Sequence, residues 1–155
     1  MGNAAPPSFE HFDAKLAERL VSANDALNKG LPAYLGIRLI EYTAGRLVAE
    51  MPVRDELKTP FGMLHGGVMA GLVDHVLGMV AYPVMRRGAW AATTEFKLNY
   101  LTSVSDGTLR AESQIISMTR TTAIVRVEVT NGDRLACIAQ GTLLLRDPKP
   151  AASDR

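Results

Sequence analysis

The stretch Thr59–Tyr82, TPFGMLHGGVMAGLVDHVLGMVAY, decides the fold. From Gly66 onward it is a continuous apolar run that only Asp74 and His75 interrupt. A helix that is apolar on all sides belongs in a protein core, whereas a surface helix shows a polar face. The run reaches only the lower limit for crossing a bilayer, and its two ionisable groups lie near the middle, so a core helix is favoured over a membrane span. The sequence therefore predicts a buried central helix.

The segments around this helix carry strand signals. Alternating apolar and polar residues predict a hairpin before the helix and four strands after it, and Asn131-Gly132 marks a tight turn between the last two. In the first strand after the helix, Trp90, Ala92, Phe96, Leu98 and Tyr100 are predicted to share one face. The predicted strands cover 37–42, 47–53, 90–100, 108–117, 123–129 and 135–145. This element order predicts an α+β fold, with a largely antiparallel sheet wrapped around the central helix.

The N-terminal region is predicted to form an amphipathic helix over 8–30. Apolar residues recur there at steps of three and four, with Ser8 as a possible N-cap and Gly30 as a stop. Residues 1–7 are expected to be a disordered leader and 147–155 a disordered tail. The folded domain is expected to cover 31–146.

Composition excludes several classes of function. The 155 residues are 47% hydrophobic and 21% charged, and 17 Lys and Arg against 16 Asp and Glu leave a net charge of +1. Such a balance offers no field for nucleic acid or anionic membranes. Cys137 is the single cysteine and is expected to be an inert thiol in the core. A chain with one cysteine forms no internal disulfide, so a cytoplasmic location is expected. No metal-ligand spacing or nucleotide-binding motif is present, so neither metal nor cofactor is predicted.

Two features of the central stretch carry chemistry. At His65-Gly66-Gly67 a loop enters the helix, so unpaired N–H groups and the positive end of the helix dipole would face an oxyanion there. The alternative is a glycine-rich bend capped by the His. Asp74 is costly within an apolar helix and should line a wet cavity. The alternatives for Asp74 are a buried ion pair with an Arg or hydrogen bonds to backbone amides.

The spacing of these features has a consequence for assembly. Gly66 and Asp74 are eight residues apart, about 12 Å along a helix, which is too far for one chain to supply both to a single reacting carbonyl. Two helices packed antiparallel about a twofold axis would bring Asp74 of one chain to Gly66 of the other. A shared site therefore predicts a homodimer.

The segment Leu64–Asp74, LHGGVMAGLVD, with Gly62 upstream, resembles the central-helix motif of hotdog-fold acyl-CoA thioesterases of the PaaI-like and Them2-like group. The resemblance implies that Gly66 N–H polarises the thioester carbonyl and that Asp74 of the partner subunit activates water or attacks directly. It further implies that His65 shapes the loop and that a hydroxyl on the following strand, here Thr93, positions water. Thr59 stands where the family commonly has Asn, which puts that residue's role in doubt.

The same resemblance implies an acyl-CoA substrate, a dimer that pairs further into a tetramer, and no cofactor. Gly67 would let the ligand approach the helix end, and Arg120, with Arg86 and Arg87, would attract the coenzyme A phosphates. Phe61, Met69 and Val73 are the residues expected to line the acyl pocket, with Leu72 beside them. A non-catalytic acyl-CoA binding or sensing module is the alternative. A hydratase of the same fold is less favoured, because its motif residues are missing.

Overall fold

The computed structural model describes residues 7–23 and 29–148. Three α-helices lie in this part of the chain, and we label them α1 (Ala14–Ser22), α2 (Leu31–Leu35) and α3 (Gly66–Met79). Two 3-10 helices cover Asp55–Leu57 and Tyr82–Val84. The strands are β1 (Arg38–Thr43), β2 (Arg46–Pro52), β3 (Trp90–Tyr100), β4 (Thr108–Met118), β5 (Thr122–Asn131) and β6 (Arg134–Arg146).

The six strands form one antiparallel sheet in the order β1-β2-β4-β5-β6-β3. Strands β1 and β3 are therefore its two edges. Between β5 and β6 the turn residues are Gly132 and Asp133, and Gly132 takes the positive φ of 58° that such a turn requires. The predicted α+β fold, with an antiparallel sheet and a long central helix, is confirmed.

Helix α3 lies against the sheet with one face buried. Met69, Leu72, Val73, Val76 and Leu77 point into the core that α3 forms with β2, β4 and β5. The segment Gly66–Val84 is long and apolar enough to span a membrane by length and composition. The structure divides it into α3 and a 3-10 helix, and the packing of α3 against the sheet identifies it as a core helix.

The expectation that α3 is buried on all sides is wrong for the single chain. Its other face carries Gly67, Gly71, Asp74 and Gly78, and Asp74 is exposed there. Four positions one or two turns apart share one side of a helix, so these residues form a stripe. Glycine interrupts an apolar run no more than alanine does, yet it has no side chain to bury. The composition of the run therefore did not show that one face of the helix would be exposed.

Two side chains attach the C-terminal half of α3 to the sheet. Ser113, fully buried on β4, donates from its hydroxyl to the carbonyl of Val76 at 3.0 Å. Tyr42 on β1 donates to the carbonyl of Met79 at the helix end, and burial raises the pKa of this phenol. Both bonds satisfy polar groups that would be costly if buried alone, and they fix how α3 lies on the sheet.

The N-terminal region differs from the helix predicted over 8–30. Helix α1 begins at Ala14, and its N-cap is Asp13, not Ser8: the Asp13 carboxylate accepts from the Leu16 N–H at 2.9 Å. Gly30 does not end this helix but precedes the short α2, in which Pro32 occupies the first turn. Residues 24–28, the predicted leader up to residue 6 and the tail from 149 lie outside the described residues.

Strand β3 contains a bulge that the predicted alternation lacks. Thr93 pairs with Leu143 and Glu95 with Thr142, so Thr94 is an additional residue in β3. Because side chains alternate along a strand, one extra residue exchanges the faces beyond it. Thr93 therefore faces α3 together with Phe96, Leu98 and Tyr100, while Trp90 is exposed. The predicted common face of Trp90, Ala92 and Tyr100 is wrong for this reason.

Candidate active site

The first turn of α3 presents one free backbone N–H group. His65 is the N-cap, and its Nδ1 accepts a hydrogen bond from the Gly67 N–H at 2.9 Å. Val68 N–H donates to the His65 carbonyl at 2.9 Å. The Gly66 N–H has no acceptor within residues 7–23 and 29–148. The donor available to a ligand is therefore Gly66 alone, because the ring of His65 caps the helix and occupies the Gly67 N–H, as in the alternative of a glycine-rich bend capped by the His.

Tyr100 closes one side of this helix end. Its hydroxyl donates to the Gly66 carbonyl at 2.8 Å, and a Cβ placed on Gly66 would lie 3.0 Å from that oxygen. More than half of the Tyr100 side chain is still exposed, at 56%, so its ring is accessible beside this helix end. Sequence reasoning treated Tyr100 only as a strand residue. The signal it lacked was the bulge at Thr94, which turns Tyr100 towards α3.

Asp74 lies on the open face of α3, two turns beyond Gly66. Its carboxylate is exposed and forms no ion pair within the described part of the chain. The two alternatives for Asp74, an ion pair with an Arg and burial among backbone amides, do not describe the single chain. An exposed carboxylate is available as a base or nucleophile.

Thr93 lies beside the same part of α3. A Cβ on Gly78 would be 3.8 Å from the Thr93 hydroxyl, and Gly78 follows Asp74 by one helical turn on the same face. The structure thus brings Thr93 to the Asp74 end of the open face. Gly66, His65 and Tyr100 form a second group at the other end, about 12 Å away along α3.

The loop before α3 holds two further predicted residues. Thr59 N–H donates to the Met63 carbonyl at 2.7 Å, and its hydroxyl accepts from the Phe61 N–H at 3.3 Å. Thr59 therefore shapes this loop, and its role at the site stays a prediction. Phe61 lies at the loop tip and is 89% exposed, so this large ring is free to contact a ligand or a second chain.

Three residues expected at the acyl pocket belong to the core instead. Met69 is 4% exposed, and Leu72 and Val73 are fully buried. They lie on the side of α3 that faces the sheet, opposite the stripe that contains Asp74. Met69 and Val73 therefore face the core of the single chain and not the open face of α3, and their part in the acyl pocket stays a prediction.

Arg120 and Arg86 line the same cleft of about 500 Å³, together with Arg146. Arg120 lies in the β4–β5 turn, and Arg86 follows the second 3-10 helix. Arg86 is ion-paired with Asp147 at 2.6 Å, whereas Arg120 and Arg146 form no ion pair within the described residues. Apolar residues such as Phe9 and Met118 form part of the wall. Arg87 is exposed outside this cleft.

Cys137 is fully buried in β6, and burial raises the pKa of its thiol to about 11. The predicted core location of this thiol is confirmed. Its raised pKa disfavours the thiolate, which is the reactive form, and its lack of reactivity stays a prediction. Among the residues that the structure describes, no group of three or more His, Cys, Asp or Glu is placed to hold a metal ion. The absence of a metal or cofactor in the working protein stays a prediction.

Comparison with known proteins connects this site to a family. The family model of the thioesterase superfamily matches residues 61–138. The chain is 35% identical over 111 residues to ComA2 of Bacillus subtilis, which carries the name of an esterase, covering 70% of this chain and 88% of the relative. It is 30% identical over 128 residues to the proofreading thioesterase EntH of Klebsiella pneumoniae, covering 81% and 93%.

Two further matches extend the comparison. A 1,4-dihydroxy-2-naphthoyl-CoA hydrolase of Listeria monocytogenes is 26% identical over 118 residues, covering 76% of this chain and 96% of the relative. The crystal structure of a thioesterase from Haemophilus influenzae superposes with a TM-score of 0.79 at 23% identity, covering 86% of this chain and 94% of that one; it shows the shared fold. The chain belongs to the thioesterase superfamily and has its hotdog fold. The enzyme class that the motif predicted, a thioester hydrolase, is confirmed.

Proposed function

We propose that the protein hydrolyses acyl-CoA thioesters at a site shared by two subunits. The observation that carries the proposal is the arrangement on α3: one free N–H at its start and one exposed carboxylate on its open face, too far apart to serve one carbonyl within a chain. The relative from L. monocytogenes is named as a hydrolase of a CoA thioester, which supports this substrate class.

In the proposed reaction the Gly66 N–H donates to the thioester oxygen, and the helix dipole adds to the stabilisation of the developing negative charge. Asp74 of the partner subunit either removes a proton from the attacking water or attacks the carbonyl itself. Thr93, on the same chain as that Asp74, is placed to orient water. When water attacks, the carbon–sulfur bond then breaks, the sulfur takes up a proton, and the free acid and coenzyme A leave. When Asp74 attacks, breaking of the same bond releases coenzyme A and leaves an anhydride between the acyl group and Asp74, which water then hydrolyses to the free acid.

The open surfaces of the chain support a dimer. Gly67 and Gly78 leave room for another backbone beside α3, whereas Gly71 is covered by Leu35 of α2, which lies 3.2 Å from an added Cβ. Strand β3 is an unpaired edge strand beside α3. Antiparallel packing of two α3 helices would place the C-terminal end of one beside Gly66 of the other. We further propose that two such dimers associate and that the enzyme acts in the cytoplasm.

In the same antiparallel dimer, the cleft lined by Arg86, Arg120 and Arg146 has a role in substrate binding. The cleft lies beyond the C-terminal end of α3, so in an antiparallel dimer the partner's cleft is on the Gly66 side of the first chain. Guanidinium groups bind phosphate through paired hydrogen bonds. We assign Arg120 and Arg146 to the phosphates of coenzyme A, and the exposed Phe61 to the acyl group.

The test uses two inactive variants in one dimer. Asp74→Asn removes the carboxylate. Gly66→Pro removes the N–H and adds a ring whose Cβ lies close to Tyr100. The backbone suits proline here, because proline is favoured at the first helical position and His65 already has the extended conformation that precedes proline, with φ −67° and ψ 133°. Gly66→Ala is the matched control, since it adds a Cβ and keeps the N–H.

Each variant alone is expected to lose roughly 10²–10³-fold in kcat on an acyl-CoA substrate, and Gly66→Ala to lose much less. Co-expressed in equal amounts, half of the dimers are mixed and contain one intact site, so about a quarter of the wild-type activity should return. If the activity of the co-expressed mixture is no higher than that of the separate variants, the shared site is overturned. Tight acyl-CoA binding without turnover by the wild type would show a binding module instead.

A further inference from the structure

The peptide group between Gly66 and Gly67 is held by a side chain at each of its two polar atoms. Its carbonyl, on Gly66, accepts from the Tyr100 hydroxyl at 2.8 Å. Its N–H, on Gly67, donates to Nδ1 of His65 at 2.9 Å. An imidazole nitrogen that accepts carries no proton, so the proton of the neutral ring is on Nε2. We call this pair of side chains the peptide clamp.

The clamp acts on a part of the backbone that is otherwise loose. Two consecutive glycines allow more conformations than any other pair, and they weaken the start of a helix. Neither Gly66 nor Gly67 has a positive φ, so the backbone conformation does not require glycine at either position. Both glycines lie close to the clamp side chains: an added Cβ would lie 3.0 Å from the Tyr100 hydroxyl at Gly66 and 3.1 Å from Nδ1 of His65 at Gly67.

Tyr100 reaches this position only because of the bulge at Thr94. Thr93 and Tyr100 are seven residues apart, and in a regular strand residues at an odd spacing face opposite sides. With the bulge, both face α3, Thr93 at Gly78 and Tyr100 at Gly66. One irregularity therefore places one side chain at each end of the helix. Bulges frequently aim side chains at functional sites.

We propose that Tyr100, together with His65, is a positioning residue that fixes the direction of the Gly66 N–H. The inference rests on the proposed function, in which that N–H receives the developing oxyanion. A donor contributes to catalysis when it is held in place before the reaction, because no reorganisation is then needed as charge develops. Clamping the neighbouring peptide group restrains the rotations at Gly66 that would turn its N–H away.

The first test removes the hydroxyl and keeps the ring. Tyr100→Phe is expected to lower kcat about fivefold, the effect of one neutral hydrogen bond, with KM unchanged. The amide hydrogen of Gly67, which donates to His65, should exchange faster with solvent. Replacing Tyr100 by para-aminophenylalanine, which again places a donor at this position, should restore kcat. Tyr34→Phe, which removes an exposed hydroxyl on α2, is the matched control and should leave kcat and exchange unchanged.

A second comparison separates the clamp from a direct contact with substrate. In a His65→Ala background, where the other half of the clamp is missing, Tyr100→Phe should have a smaller effect than in the wild type. A change in KM alone, or an undiminished effect in the His65→Ala background, would overturn the positioning role. So would wild-type kcat in Tyr100→Phe. These results would leave the proposed function intact as long as Asp74→Asn is inactive, whereas an active Asp74→Asn would refute the proposed function itself.

Discussion

The two faces of α3 differ in almost every property. The face against the sheet consists of large apolar side chains that exclude water, among them Leu72 and Leu77, which are fully buried. The open face consists of glycines and one carboxylate, and Asp74 on it is exposed. Both faces belong to one helix of 14 residues. The first face fixes the position of the helix. The second is free to approach another chain except at Gly71, which Leu35 of α2 covers.

This difference separates stability from chemistry within a single element. Burial of apolar side chains stabilises a fold in proportion to the area removed from water, and glycine contributes almost nothing to that area. Substitutions on the sheet face should therefore change the free energy of unfolding and leave the chemistry of the assembled enzyme intact. Substitutions on the open face should change the chemistry of the assembled enzyme and leave the free energy of unfolding of the single chain largely unchanged.

The largest expected effect comes from filling the open face. Gly78→Leu places a bulky side chain where, within the chain, the Thr93 hydroxyl is the nearest atom to the new Cβ, at 3.8 Å. The monomer should fold, since leucine favours a helix more than glycine does. A second α3 could no longer come close, so we expect a monomer by light scattering and at least a roughly 100-fold loss of activity.

The control for this change is Gly78→Ala, which adds only a methyl group. It should keep the dimer and most of the activity. A Gly78→Leu protein that remains a dimer with unchanged turnover would show that the open face of α3 is not where two chains meet. The functional role that we assign to the open face would then be wrong.

The next largest effect concerns the sheet face. Leu72→Ala should lower the free energy of unfolding by about 2–5 kcal/mol, because it removes a fully buried side chain and leaves a cavity. The kcat of the protein that remains folded should be close to wild type. Denaturant unfolding at fixed protein concentration measures the first quantity, since dimerisation contributes to stability.

Leu101→Ala makes the same chemical change at a side chain that is 50% exposed. It should cost less than about 1 kcal/mol, because little area returns to water. Equal costs for the two variants would mean that α3 does not pack on the sheet in solution as it does in this structure.

Much of the fold was predictable because its signals are local. The apolar run from Gly66, the alternation in the later strands and the Asn131-Gly132 turn all depend on near neighbours in the chain. The motif around His65 and Asp74 likewise identified the family, since it is contiguous. Predicting these elements required no knowledge of which distant segments of the chain contact each other in the fold.

The parts that sequence reasoning missed depend on long-range contacts. The bulge at Thr94 appears only in the pairing of β3 with β6, and it decides that Tyr100 faces Gly66. Which side of α3 stays open follows from the direction in which the sheet approaches, so Met69 and Val73 could not be separated from Asp74 by composition alone. Whether the Gly67 N–H is free depends on one rotamer of His65.

The smallest expected effect concerns His75, which is half-buried beside Asp74 on α3. Burial lowers the pKa of His75 below its ordinary value, and the charge of Asp74 opposes that change. The unfolded chain takes up a proton near pH 6.5, before the folded chain does. The free energy of unfolding should therefore fall as the pH drops below about 6.5, by at most about 1.4 kcal/mol per pH unit.

His75→Gln should remove this pH dependence. Asp74→Asn should extend it to lower pH, because the charge that favours the imidazolium is gone. Urea unfolding at several pH values measures both. An unchanged slope in His75→Gln would assign the titration to another group and leave His75 as a packing residue.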